Sequence, residues 1–205
     1  MRPYINVCIC ITPGTIMADD RIAKEIALAE YIWHPISFHI ADVILLDETY
    51  RFHNAEISYM SPMKTQPKLT SFFEECSSLS PNCDVYICYI GSQYFQESNV
   101  IACAYSLAIH KKITGYIVLT NAAASKRNIY TLAHELGHIL FTRREQGKLT
   151  HADPHCPNGS EHHPSTTNLM HYIVPHPDHS PIDSLLTAMQ RKLALRSSLL
   201  REEKK

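Results

Sequence analysis

Six of the 12 prolines in this 205-residue chain crowd between residues 154 and 181, at positions 154, 157, 164, 175, 177 and 181. Proline offers no backbone N–H to a ladder, and its ring clashes inside a helix, so this stretch is excluded from regular structure. Ordered elements must lie before it and after it. The same part of the chain is rich in imidazole, since nine of the 13 histidines lie from position 134 onward. An irregular, histidine-bearing segment therefore follows an ordered one, and what precedes it decides the fold.

Upstream, β-branched and apolar residues from 4 to 12, ended by Pro13-Gly14, read as a strand. Ile22, Ile26, Ala29 and Trp33 recur at helical spacing between Met17 and Trp33, with Asp19 and Asp20 near the start and Pro35 as the stop. Ile36 to Leu46 resumes strand character. Residues 47 to 81 are polar and proline-bearing, a loop region with room for one short helix. Val85 to Ile90 and Tyr116 to Leu119 read as strands; residues 99 to 109 fit a strand or a short helix equally well. Asn128 can cap a helix whose apolar stripe is Ile129, Leu132, Ala133, Leu136 and Leu140. Past the prolines, Thr187 with Gln190 three residues on marks the start of a last helix, carrying Met189, Leu193 and Arg196 toward the charged tail 201 to 205. The length suits one domain over 1–205, with an upper lobe 1–141 and a lower lobe 142–205.

Composition narrows the function. Nineteen basic against 20 acidic residues give a net charge of -1, which leaves no electrostatic case for nucleic acid or an anionic membrane as partner. No apolar run approaches the roughly 18 residues of a spanning helix, and no secretory signal is apparent after Met1-Arg2-Pro3-Tyr4. The cytoplasm is the default location, with export by a signal-independent route as the alternative. The seven cysteines are scattered. Cys8, Cys10, Cys88 and Cys103 sit in apolar contexts and read as buried thiols; Cys76 and Cys83 bracket a loop and could pair in an oxidising compartment.

The chemistry concentrates at His134-Glu135-Leu136-Gly137-His138. Histidines four residues apart project from one helix face, a turn apart, so their imidazoles can converge on one metal ion. The glutamate beside the first histidine is then placed to take a proton from a water on that metal. Composition alone gives on the order of 0.05 such matches in a chain like this, so chance is a poor account. A catalytic zinc also needs a third protein ligand and an open position.

This helix motif, followed by histidines and by Asn168-Leu169-Met170-His171-Tyr172, resembles the metzincin clan of zinc metallopeptidases. The resemblance implies an α+β fold: a twisted mixed β-sheet with helices over it and an irregular C-terminal lobe ending in a helix. It implies Zn2+ as cofactor, a peptide or protein substrate, Met170 as packing beneath the metal, and an edge strand at Tyr116, Ile117 and Val118 that pairs with extended substrate. It also implies Tyr172 near the metal, where a phenol can stabilise an oxyanion. The clan's third-ligand spacing falls on Arg144, which cannot serve. The sequence instead reads as a helix continued about a turn and a half to Gly147, which makes His151 the expected third ligand and His155 the alternative, with Asp153 placed to orient either. Glu161, His162 and His163 are weaker options. The expected function is zinc-dependent hydrolysis of peptide bonds with Glu135 as general base. A zinc hydrolase of another substrate, or a non-catalytic zinc-binding or sensor module, are the alternatives.

Overall fold

The computed structural model describes residues 2–17, 20–59, 66–109 and 112–202. In chain order the elements are β1 (Pro3–Ile11), α1 (Arg21–Ile32), β2 (Ser37–Leu45), α2 (Pro67–Leu79), β3 (Val85–Tyr89), β4 (Ala102–Ile109), β5 (Lys112–Leu119), α3 (Thr131–Phe141), the short strands β6 (Arg143–Glu145) and β7 (Lys148–Thr150), α4 (Ala188–Ala194) and β8 (Arg201–Glu202). The main sheet runs β2-β1-β3-β5-β4. Its first four strands are parallel and β4 is antiparallel to β5. This is the expected α+β class with a mixed sheet.

Alternation along β1 divides the interior in two. Ile5, Val7 and Ile9 face one core with Ile26, Ala29 and Ile32 of α1 and Leu132, Leu136 and Leu140 of α3. Cys8 and Cys10 face the other, with Leu69, Phe72, Phe73 and Cys76 of α2. Helices therefore cover both faces, where a helical layer over the sheet had been expected. The stretch expected as loop with one short helix holds α2, a 13-residue helix with Pro67 at its first turn, where a missing N–H costs nothing. Its buried residues at 69, 72, 73 and 76 keep helical spacing; the flanking prolines masked that pattern. The ambiguous residues 99–109 resolve as β4.

Two further expectations are corrected. α3 does not continue to Gly147 but stops at Phe141, and β6 and β7 form a hairpin with Glu145 opposite Lys148. Gln146 (φ 50) and Gly147 (φ 80) are its two-residue turn, both in the left-handed region that suits a hairpin. Gly147 serves the hairpin, not a helix end. Likewise α4 ends at Ala194, and the tail returns as β8, whose Arg201 and Glu202 pair with Tyr4 and Pro3. Arg201 grips the buried Asp84 carboxylate through Nε at 2.6 Å and Nη2 at 2.9 Å. No helix among the described residues is long and apolar enough to cross a membrane.

Candidate metal centre

Every residue of α3 is buried, including His134, Glu135 and His138. The apolar stripe accounts for one side only. On the other side the chain from Ala152 to His171 folds over the helix, and that is how polar side chains come to be enclosed. Gly137 permits the closest approach: a Cβ there would overlap Met170 Sδ and come within 2.9 Å of the Trp33 ring. Trp33 is itself anchored by donating its indole N–H to the Ala133 carbonyl at 2.9 Å. Met170 is fully buried against this glycine, beneath the histidine-bearing helix. Gly137→Ala should therefore overpack the contact at about 1–3 kcal/mol, offset by nearly 1 kcal/mol of helix propensity. The expected net loss, up to about 2 kcal/mol, is measurable by urea unfolding.

The imidazoles of His134 and His138 point their Nε2 atoms at each other, 3.0 Å apart. His134 Nδ1 lies 2.7 Å from the Leu169 carbonyl, to which it can only donate. That hydrogen bond selects the tautomer whose Nε2 carries a free lone pair. Burial also keeps both rings neutral: it holds His134 down to about 4, against the opposing pull of the Leu169 carbonyl, and His138 well below the usual histidine range. Neutral imidazoles are metal donors.

The third member of the cluster is His162, not the expected His151. Donor atoms of His134, His138 and His162 lie within 4.8 Å of one another. The His162 ring centroid is 5.6 Å from that of His134 and 5.0 Å from that of His138. A closed loop places it there. Asp153 N–H donates to the Ser160 carbonyl at 2.9 Å, Cys156 and Gly159 add inner turns, and His163 N–H donates to the Met170 carbonyl at 2.8 Å. The His162 carbonyl accepts from the Ser160 hydroxyl at 3.2 Å and the Cys156 thiol at 3.3 Å. His151 is adjacent, with its ring 5.8 Å from His138, but its Nε2 meets Glu161 at 2.5 Å. The alternative, His155, has its Nε2 2.7 Å from the Thr187 hydroxyl and its ring against His163. Neither His151 nor His155 belongs to the group of three whose donor atoms converge.

Asp153 has a larger part than orienting a histidine. It accepts from Gln190 Nε2 at 2.6 Å and from His155 N–H at 2.8 Å. Gln190, fully buried, also bonds Asn168 at 2.9 and 3.0 Å, while Asn168 Oδ1 accepts from Met170 N–H at 3.0 Å. The expected capping box of Thr187 and Gln190 is formed as well. One glutamine thus ties together α4, the loop around Asp153 and the backbone at Asn168 to Met170. Gln190→Ala leaves the Asp153 carboxylate and the Asn168 amide buried without this partner. A loss of about 1–3 kcal/mol is expected in urea unfolding.

Glu135 is buried beside the histidines. Burial, with the negative charge of Glu161 as a smaller contribution, pushes its carboxyl up to about 8. A cation at the three nitrogens would oppose that shift and favour the carboxylate. Two expected site features are corrected. Tyr172 is two-thirds exposed and its ring contact is to His171, 4.4 Å away, an arrangement that gives the oxyanion role no support. Residues Tyr116 to Val118 are not an edge: β5 pairs with β3 on one side and β4 on the other, and Tyr116 is buried between Phe73 and Tyr86, at 4.3 and 5.0 Å. Among the described residues the strand with a single partner on this side of the sheet is β4, packed on α3 through a 2.7 Å contact between the Ser106 and Thr142 hydroxyls.

The donor set fits zinc. Two nitrogens at zinc distance in a tetrahedral arrangement lie about 3.3 Å apart, close to the 3.0 Å seen here between neutral rings. No family model matches the sequence, and no curated protein matches it. Among solved structures the chain is similar to metalloproteinase-II from Bacteroides fragilis, with a TM-score of 0.54 at 14% identity, covering 95% of this chain and 52% of that one. The chain spans about half the length of that protein. The likeness is one of fold: a metalloproteinase-like α+β architecture, carrying at its centre three histidines that can hold a metal ion.

Proposed function

We propose that this chain is a zinc-dependent peptidase acting by hydrolysis. The observation that carries the reading is the convergence of His134 and His138, on a helix beside a buried glutamate, with His162 from a loop, in a metalloproteinase-like fold. His134 and His138 would hold the ion through Nε2 and His162 through its ring, leaving the fourth position free. When bound, zinc supplies Lewis acidity, lowering the pKa of water toward 7 and polarising a carbonyl. Glu135 accepts the proton of the attacking water at a carboxylate oxygen and passes it to the leaving amine nitrogen. Burial of the glutamate among apolar residues keeps competing water from solvating that carboxylate. The free edge of β4 offers alternating N–H and C=O groups to an extended peptide, a mode that reads backbone before side chains.

Purified protein incubated with an unfolded protein substrate should cleave it, lose activity when a chelator removes the metal, and regain it on adding zinc. Zinc-loaded protein that cleaves no peptide substrate would contradict the peptidase reading.

A further inference from the structure

On the opposite face of the sheet from the histidines lies a second cluster of potential ligands, and we propose that Cys10, Cys76 and Cys88 form a trigonal thiolate site for cuprous copper. The three sulfurs lie within 4.8 Å of one another and all three residues are fully buried. They come from three elements: Cys10 and Cys88 are direct register partners on the neighbouring parallel strands β1 and β3, and Cys76 descends from α2, which packs over that face. Two donors on the sheet and one above it make a triangle. A cation about 2.3 Å from each sulfur at the centre of a planar triangle sets the sulfurs roughly 4.0 Å apart, so closing the present arrangement requires less than about an ångström.

The donor number selects the ion. Thiolates favour soft cations such as Cu(I) and zinc. Zinc needs a fourth ligand; cuprous copper is content with three. Cys8, with its sulfur 3.8 Å from that of Cys10, stands outside the triangle, and the three thiols are fully shielded from solvent. The surroundings include Leu69, Phe72, Phe73 and Val118, and burial keeps the nearby phenols of Tyr86 and Tyr116 neutral, which makes them poor donors for a hard cation. Binding of Cu+ displaces the thiol protons, so affinity should fall in acid. This site does not depend on the peptidase reading.

The test is equilibrium dialysis of the intact, fully reduced protein against buffered Cu(I) under anaerobic conditions, read by metal content and ultraviolet thiolate-to-copper absorption. The expected result is one ion per chain with that absorption. Affinity should fall at least about 100-fold in Cys76→Ser and Cys10→Ser and stay unchanged in Cys103→Ser and in His162→Ala. If either cluster variant fails to fold by circular dichroism, Cys88→Ala is read in its place. No bound copper, undiminished affinity in the cluster variants, or loss of the signal in His162→Ala would each overturn the proposal.

Discussion

Glu135→Gln should retain its metal and lose peptide hydrolysis by roughly 100- to 10,000-fold, the usual range for a general base. The amide keeps the shape of the side chain but cannot accept and return the proton. The same substitution has a second, opposite effect in metal-free protein. Burial raises the Glu135 carboxyl to about 8 from the ordinary 4.5, so between those values the unfolded state releases a proton that the folded state retains. Stability from this group is therefore full below pH 4.5 and is lost as pH rises through 8. Removing the group should leave metal-free protein equally stable near pH 4 and more stable above pH 8, by on the order of 5 kcal/mol. The buried histidines act in the other sense: His134, held down to about 4, costs stability as pH falls from 6.5 through 4. Thermal unfolding of both proteins across this range checks the signs. An activity that survives Glu135→Gln would contradict the proton-transfer role even if zinc were bound.

The second large effect separates two neighbouring histidines. His162→Ala removes a member of the converging set and should cost more than the roughly 100-fold in zinc affinity that marks the upper range for a residue supporting a ligand. His151→Ala frees Glu161, whose carboxyl is held low chiefly by that histidine, and should cost about 10- to 100-fold or less. A larger loss in His151→Ala would return the ligand role to that residue and require the loop to rearrange. Zinc competition titration of the two variants decides between them.

The contrast shows what was legible in the sequence. Helical periodicity marks α1 and α3, whose apolar residues face a core at regular spacing, and runs of β-branched and apolar residues mark the parallel strands. The His134 and His138 pair is legible for the same reason: spacing on a helix is spacing in space. His162 is not, because it stands 24 positions after His138 in the sequence, and its placement rests on backbone hydrogen bonds within a loop that bears no period. Gly147 misled for a related reason. A glycine with positive φ ends a helix or turns a hairpin equally well, and only the pairing of Arg143 with Thr150 shows which. The expected edge at residues 116–118 is an inner strand because adjacency in sequence to α3 says nothing about which strand lies outermost.

The most direct measurement is the X-ray absorption spectrum of the zinc-loaded protein, together with that of its His162→Ala variant. The expected spectrum shows about three imidazole nitrogens and one oxygen donor near 2.0–2.1 Å, with an imidazole lost in the variant. Four protein donors in the native site, or a spectrum unchanged by His162→Ala, would contradict an open catalytic centre built from His134, His138 and His162.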